Sequence, residues 1–451
     1  MQTIIIIGGV AAGMSAAAAA KRVNPNTNII VFEKGEHISY GSCGLPYYIG
    51  GIIPDINKLI ILDLEKAKSK KGIDVRTKCE VVFIDKNNKK IQVKNFNNSK
   101  MEEYTYDKLI IATGATPVRP EIKGIQNDLV FYLRNLEDGI RLKKFIYDKR
   151  PKRVIIIGEG HIALEMVENF KLCGISEIYM IIHGSHVCWW LDSDMAEIIE
   201  RKLIEENIKL IKNARVDSIE RHGPNLEVKI GDDKIIADFI FVSRGMKPNT
   251  QLAKEAGLKL GMRGAIEVNN FMETSHPDIY AAGDCATVYN IIEKKVIYMP
   301  RGTTANKQGR YAGMNAAGKK TEFKGITASM SFKVFDLEVS RAGIWDEEAQ
   351  KKNIEYKSKL IKSITRASYY PGGGEIFIKL TADLKTHKLL GGQIIGTEGV
   401  AKRMDIISTA LYNEMTVDEM RHLDFCYSPP FCPVWEPVHV AINELYKVLN
   451  N

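Results

Sequence analysis

The stretch IIIIGGVAAGMSAAAAA, residues 4–20, decides how the rest of the chain is read. Four consecutive isoleucines suit a strand buried on both faces, and the alanine run after Gly13 suits a helix. Gly8, Gly9 and Gly13 fall where the strand should turn into the helix. The stretch is also apolar enough to pass for a membrane span or a signal peptide. Only Met1, Gln2 and Thr3 precede it, with no basic segment, and the glycines interrupt it. It reads instead as the opening of a βαβ unit, and no other stretch reaches spanning length. The second strand of that unit, Ile29–Phe32, ends at Glu33.

The same plan recurs later in the chain. Val154–Ile157 reads as a strand, followed by Gly158-Glu159-Gly160-His161-Ile162-Ala163, a helix to about Cys173, and a strand Ile178–Ile182 ending at His183. A second pair of segments repeats as well. Residues 107–117 (DKLIIATGATP) match residues 238–248 (DFIFVSRGMKP) in spacing, each a buried strand running into a glycine turn and a proline. One duplicated nucleotide-binding plan accounts for both pairs. After about residue 323 the texture changes to short strands and turns, then to helical patterns at Val400–Met415 and Val417–Leu423. The expected fold is α/β, with two Rossmann-like dinucleotide-binding domains and a C-terminal α+β domain. The expected boundaries are 1–118 with 249–322, 119–248, and 323–451.

The charge of +8 over 451 residues is mild, and no basic run is long enough to argue for nucleic acid. The densest stretch, Lys66 to Lys71, reads as a solvated helix face. Seven cysteines are scattered with neither metal-ligand nor disulfide-framework spacing, so no metal site is expected and a reducing, cytoplasmic setting is.

The glycine turns carry the first chemistry. Gly8 permits a tight turn and Gly13 close packing of helix on strand, while the helix N-terminus offers free N–H groups to a pyrophosphate. Glu33, twenty residues past Gly13, can accept hydrogen bonds from both ribose hydroxyls. The second turn, Gly158-x-Gly160-x-x-Ala163, matches the dinucleotide pattern better. Twenty residues past Ala163 stands His183, not an acid, so a 2′-phosphate would not be repelled there, and NADPH is slightly favoured over NADH. No arginine follows that strand closely in sequence, and His186 lies nearby. A third segment, Ile279-Tyr-Ala-Ala-Gly283-Asp284-Cys285, is expected to end a strand on glycine and set Asp284 at a helix start. There its carboxylate would hold a ribityl hydroxyl, and the helix would aim its positive end at a flavin. Thr113 and Gly114 are assigned to cofactor binding with these residues.

Cys43 lies in Ser39-Tyr-Gly-Ser42-Cys43-Gly-Leu-Pro46-Tyr47. Flanking glycines leave the thiol accessible, and a position at a helix N-terminus would lower its pKa. Ile38 and Tyr48 occupy the positions five residues away, which excludes an intramolecular Cys-x4-Cys disulfide. The redox partner of Cys43 must then be a small thiol, a persulfide or an oxygen adduct.

In this order, the landmarks resemble the pyridine nucleotide-disulfide oxidoreductases, in particular the single-cysteine branch of coenzyme A-disulfide reductases, with NADH oxidases and peroxidases as near relatives. The segments that carry the resemblance are residues 8–16 (GGVAAGMSA), 40–47 (YGSCGLPY), 368–372 (SYYPG) and 427–431 (YSPPF). Where the oxidases and peroxidases carry a histidine near the first glycine loop, this chain has Ala11. The resemblance implies FAD, NAD(P)H and a homodimer whose C-terminal domain covers the partner's active site. It implies that Cys43 cycles between a thiolate and a mixed disulfide with coenzyme A, and that Tyr369 and Tyr427 reach it from the partner subunit. Ser15, Arg22, Ser39, Ser42 and Lys71 fall where the family contacts coenzyme A. The rival readings are a sulfur or polysulfide reductase, an NADH oxidase, and a flavin-bearing redox sensor without turnover.

Overall fold

The computed structural model describes residues 1–451. Two five-stranded parallel sheets form its first two-thirds. The first has the order Ile279–Ala281, Lys108–Ile111, Thr3–Ile7, Asn28–Phe32, Asp74–Arg76. Every neighbour in it is parallel. Ile4, Ile5 and Ile6 are fully buried at its centre, as an unbroken apolar run on a two-sided sheet requires.

The second sheet has the order Val130–Phe131, Phe239–Val242, Arg153–Ile157, Glu177–Ile181, Lys209–Ile211, again all parallel. Position by position it repeats the first. The duplication goes further than the strands read from sequence. A three-stranded antiparallel meander precedes Lys108–Ile111 (Cys79–Asp85, Lys90–Asn95, Lys100–Thr105), and another precedes Phe239–Val242 (Ser218–His222, Asn225–Ile230, Asp233–Ala237). The matched segments after each meander also pair with one another. Ala115–Pro117 runs antiparallel to Met246–Pro248 and makes the double crossing between the two sheets.

The remainder is a five-stranded antiparallel sheet, in the order Met330–Val334, Leu337–Gly343, Leu389–Gly396, Glu375–Asp383, Tyr356–Ile364. Helices Val400–Tyr412, Val417–Met420 and Pro437–Leu449 accompany it, and the first and last pack on its strands. The last helix, not singled out from sequence, buries Val438, Ala441, Ile442 and Leu445. That i, i+3, i+4, i+7 spacing is a one-sided helix stripe. The residues 66–71 form the end of the helix Leu64–Lys71, in which only Ala67 is buried, so its lysines are a solvated face as expected.

One element departs from expectation. Asp284 does not start a helix. The strand Ile279–Ala281 passes through Gly283, at φ +85°, into a turn and then a hairpin, Val288–Asn290 with Lys295–Ile297. The β-branched Thr287-Val288 run favours that pairing over a helical turn. The next helix is Gly302–Ala316, and it packs along Ala11–Val23.

Candidate active site

The first glycine turn leaves no room for side chains. A Cβ on Gly8, whose φ is +106°, would lie 2.2 Å from the Ala112 carbonyl oxygen, and one on Gly13 would lie 1.8 Å from that of Gly8. Helix Ala11–Val23 therefore starts hard against the strand ends, with its free N–H groups toward the cleft. Glu33 braces the turn: Oε2 accepts from the Gly9 N–H at 2.7 Å and Oε1 from the Gly35 N–H at 2.7 Å.

Across the cleft, Asp284 Oδ2 pairs with Arg134 Nη2 at 2.8 Å. Its other oxygen, Oδ1, is buried with no donor. An unpaired buried carboxylate oxygen is costly, so it fits a hydroxyl brought by a ligand. Thr113 donates to the Asn249 carbonyl at 2.6 Å, and Arg134 Nη2 stands against Gly114. Gly283 lies next to Ala12 of the first helix. A pyrophosphate-accepting turn, a ribose-facing carboxylate and an orphaned oxygen on one cleft fit the two ends of FAD. Arg134 lies between the sheets and follows no motif, so sequence reading missed it.

Cys43 sits in the one-turn helix Ser42–Gly44, ahead of Leu45–Ile49 with Pro46 in its first turn. The thiol is exposed. It reaches solvent although surrounding groups crowd it, so it is both reachable and partly desolvated. Gly302, the first residue of the helix Gly302–Ala316, is so close that a Cβ there would lie 3.9 Å from Cys43 Sγ. The positive helix end expected next to Asp284 is thus supplied by another helix, and it faces the cysteine.

The expected lowering of the thiol pKa is not what the surroundings produce. Burial pushes the Cys43 thiol up, and the Glu165 and Asp284 carboxylates add to it; a hydrogen bond with Ser42 and the charge of Arg134 pull down less. The helix that follows Cys43 has only five residues, too short for a strong dipole. Burial also pushes the Glu165 carboxyl up to about 7, against a downward pull from the Tyr47 hydroxyl. Glu165 comes from the second glycine-loop helix, His161–Leu172, so the two nucleotide-binding plans meet at Cys43.

In that second loop, Gly158 turns against Ser243, Gly160 precedes the helix, and Ala163 is fully buried. Burial depresses His161 to about 4, with Arg301 adding to the effect. His183 is exposed, two residues past the end of the strand Glu177–Ile181. The arginine absent from the nearby sequence is present in space: Arg215 Nε lies 3.2 Å from His183 Nδ1 and Arg215 Nη2 lies 3.1 Å from Nε2. It arrives on the segment after the edge strand Lys209–Ile211. His186 turns away, to Glu200 at 3.3 Å.

Tyr369 and Tyr427, 58 positions apart, are joined hydroxyl to hydroxyl at 2.8 Å, and both are exposed. That hydrogen bond raises the Tyr427 phenol. Ser15 and Arg22 share the solvent-facing side of Ala11–Val23, and the Ser15 hydroxyl donates to Asn306 of the adjoining helix at 2.7 Å. Lys71 ends its helix at Gly72, against Lys21 of that same first helix. Ser39 adopts φ +45°, and its N–H donates to the Gly9 carbonyl at 2.9 Å, which ties the Cys43 loop to the first glycine turn. Ser42 directly precedes the thiol.

No helix is long and apolar enough to cross a membrane, and no group of three or more His, Cys, Asp or Glu side chains is placed to hold a metal.

Comparison with known proteins follows the same division. Residues 2–309 match the model of the pyridine nucleotide-disulphide oxidoreductases, and residues 329–437 match that family's dimerisation domain. An NADH oxidase of Methanocaldococcus jannaschii is 37% identical over 99% of each chain. A CoA-dependent NAD(P)H sulfur oxidoreductase of Pyrococcus abyssi is 35% identical over 98% of each. A coenzyme A disulfide reductase of Staphylococcus aureus is 32% identical over 96% of this chain and 97% of its own. Among solved structures, reduced Bacillus anthracis CoADR-RHD superposes with a TM-score of 0.97 at 35% identity, over 100% of this chain and 81% of its own. The chain belongs to the pyridine nucleotide-disulphide oxidoreductases, FAD- and NAD(P)H-dependent enzymes of α/β fold with a C-terminal dimerisation domain.

Proposed function

We propose that this chain reduces coenzyme A disulfide, or mixed disulfides and persulfides of coenzyme A, with electrons from NAD(P)H, through the single redox cysteine Cys43. The observation that carries the reading is the accessible lone thiol of Cys43 at the start of the helix Gly302–Ala316, on the same cleft as the Glu33 turn and Asp284. Residues 1–118 and 249–322 form the FAD-binding unit, with Gly8, Gly13, Glu33, Thr113, Gly114, Gly283 and Asp284 as its holding groups, and Arg134 of the neighbouring unit pairs with Asp284. Residues 119–248 form the NAD(P)-binding unit, with Gly158, Gly160, Ala163 and His183. Residues 323–451 form the dimerisation unit of a homodimer.

Bound FAD supplies the two-electron link between dihydronicotinamide and sulfur. The Cys43 thiolate attacks one sulfur of coenzyme A disulfide. The S–S bond breaks, one coenzyme A thiolate leaves, and a Cys43–coenzyme A mixed disulfide remains. Two electrons from NAD(P)H then cleave that mixed disulfide and restore the Cys43 thiolate. The sum is NAD(P)H, one proton and one disulfide giving NAD(P)+ and two thiols. Tyr369 and Tyr427 of the partner subunit protonate the departing thiolate. Ser15, Arg22, Ser39, Ser42 and Lys71 line the coenzyme A path. The compartment is the cytoplasm, where the thiols stay reduced.

A second acceptor on the same residues, sulfur or polysulfide, is favoured by the 35% identity to the CoA-dependent sulfur oxidoreductase. Parallel assays of NAD(P)H oxidation with coenzyme A disulfide, polysulfide, peroxide and air separate these readings. Coenzyme A disulfide is expected to turn over fastest. Turnover with air alone makes the protein an oxidase, and a flavin-bearing protein with no turnover makes it a sensor. Mass spectrometry of the non-reduced protein reports what sits on Cys43.

A further inference from the structure

The two nucleotide-binding halves bridge the gap between glycine turn and second-strand end with a carboxylate, but they draw it from opposite sides. In the first half the carboxylate belongs to the strand end: Glu33 reaches back to the N–H of Gly9, the residue after the first glycine of the turn. In the second half the strand end carries His183, and the residue after the first glycine is Glu159. Its Oε2 reaches forward to the N–H groups of His183 at 3.0 Å and Gly184 at 3.3 Å. The Glu159 carbonyl also accepts from the Cys188 N–H at 2.8 Å, which holds the segment after the strand against the turn.

At this edge of a doubly wound sheet, a carboxylate accepts from a ribose 2′-hydroxyl, whereas an arginine accommodates a 2′-phosphate. Both chemistries are present here. Arg215 lies on the His183 ring and forms no ion pair, while its neighbours Lys209 and Lys212 are engaged by Glu177 and Glu200. Both His183 and Arg215 are exposed.

We infer that Glu159 and Arg215 are opposing specificity residues for the adenosine end of the nicotinamide nucleotide, Glu159 accepting from the 2′-hydroxyl of NADH and Arg215, on His183, receiving the 2′-phosphate of NADPH. The inference rests on the proposed assignment of residues 119–248 to NAD(P). It replaces the expectation that the edge is free of acid, and it makes the chain a user of both nucleotides with a tunable ratio.

The test is calorimetric binding of NADP+ and NAD+ to the FAD-loaded protein and to the Glu159→Gln, Arg215→Ala and Arg215→Lys variants. Glu159→Gln should raise the NADP+ to NAD+ affinity ratio by about fivefold, and Arg215→Ala should lower it by about fivefold, the size of one exposed unit-charge contact. Arg215→Lys, which keeps the charge, should restore most of the ratio. Neither change should alter FAD content. A ratio within about twofold of wild type in Glu159→Gln or in Arg215→Ala overturns the role of that residue. Wild-type protein that binds neither nucleotide overturns the nucleotide-site assignment itself, and this inference with it.

Discussion

The sheet built on Thr3–Ile7 and the sheet built on Arg153–Ile157 share strand order, inserted meander and glycine turn, yet their ligand edges differ. At the first, Asp284 is only 12% exposed and locked to Arg134. At the second, His183 and Arg215 stand in solvent. One duplicated plan has become an enclosed edge suited to a resident group and an open edge suited to a ligand that must leave each cycle. The difference lies in what packs over each edge: the helix Gly302–Ala316 runs along the first glycine-turn helix.

The harshest break in the comparison removes the thiol and leaves both edges intact. Cys43→Ser should keep FAD and still be bleached anaerobically by NAD(P)H, because hydride acceptance needs neither Sγ nor a disulfide. Its coenzyme A disulfide reduction should fall to background, since serine is a far weaker nucleophile at neutral pH. If the variant kept near-normal reduction, electrons would have to leave from the flavin directly or from another thiol; Cys285 is buried, so Cys426, exposed beside Tyr427, would be the candidate thiol.

The next change uses the last position of the two turns, where they differ in size. Gly13 and Ala163 occupy matched positions, but a Cβ at Gly13 would sit 1.8 Å from a carbonyl oxygen, whereas Ala163 is accommodated with 0% exposure. Gly13→Ala should strip FAD and lower the melting temperature sharply. Ala163→Gly should cost about 1 kcal/mol, the helix-interior penalty of glycine, and leave FAD in place. The absorbance ratio of flavin to protein and a thermal melt read both outcomes. Equal flavin content in the two variants would mean that the turns are interchangeable.

Smaller still is Tyr427→Phe. It removes one possible proton donor while leaving nucleophile and cleft intact, and Tyr369, hydrogen-bonded to it, stays in place. A fall in kcat of about 10²-fold is expected, the low end of the range for general-acid removal. The double change Tyr369→Phe with Tyr427→Phe should fall further, and a double variant no slower than the single one would exclude Tyr369 from the proton path.

What the sequence disclosed follows from distance along the chain. Gly8, Gly13 and Glu33 lie in one βαβ unit, so strand period, turn glycines and a spacing of twenty locate them together. Arg134, Glu165 and Arg215 reach their partners from elements up to 150 positions away, as Arg134 does to Asp284, and carry no local signal. The misreading of Asp284 has the same origin: the glycine turn was legible, but the continuation depended on the Val288–Asn290 strand finding Lys295–Ile297. The raised Cys43 thiol was out of reach because its cause includes Glu165, which the second half brings to the first.

That meeting of the halves yields the mildest and most informative change, Glu165→Gln. Burial holds the Glu165 carboxyl at about 7, above its ordinary 4.5, so the folded protein binds a proton there that the unfolded chain has already released. Stability from this group is therefore full below pH 4.5 and falls as pH rises toward 7. Glu165→Gln cannot titrate, so it should match wild type near pH 5 and exceed it near pH 8 by about 1–3 kcal/mol in chemical denaturation. The same variant tests the link to catalysis. The Glu165 carboxylate raises the Cys43 thiol, so replacing it with an amide should lower that pKa and speed alkylation of Cys43 at pH 7. The pH profile of iodoacetamide modification, followed by mass spectrometry at Cys43, gives the answer. If the profile does not move while the stability curve does, Glu165 is a buried acid of the nucleotide half alone, and the two halves meet at Cys43 in space but not in charge.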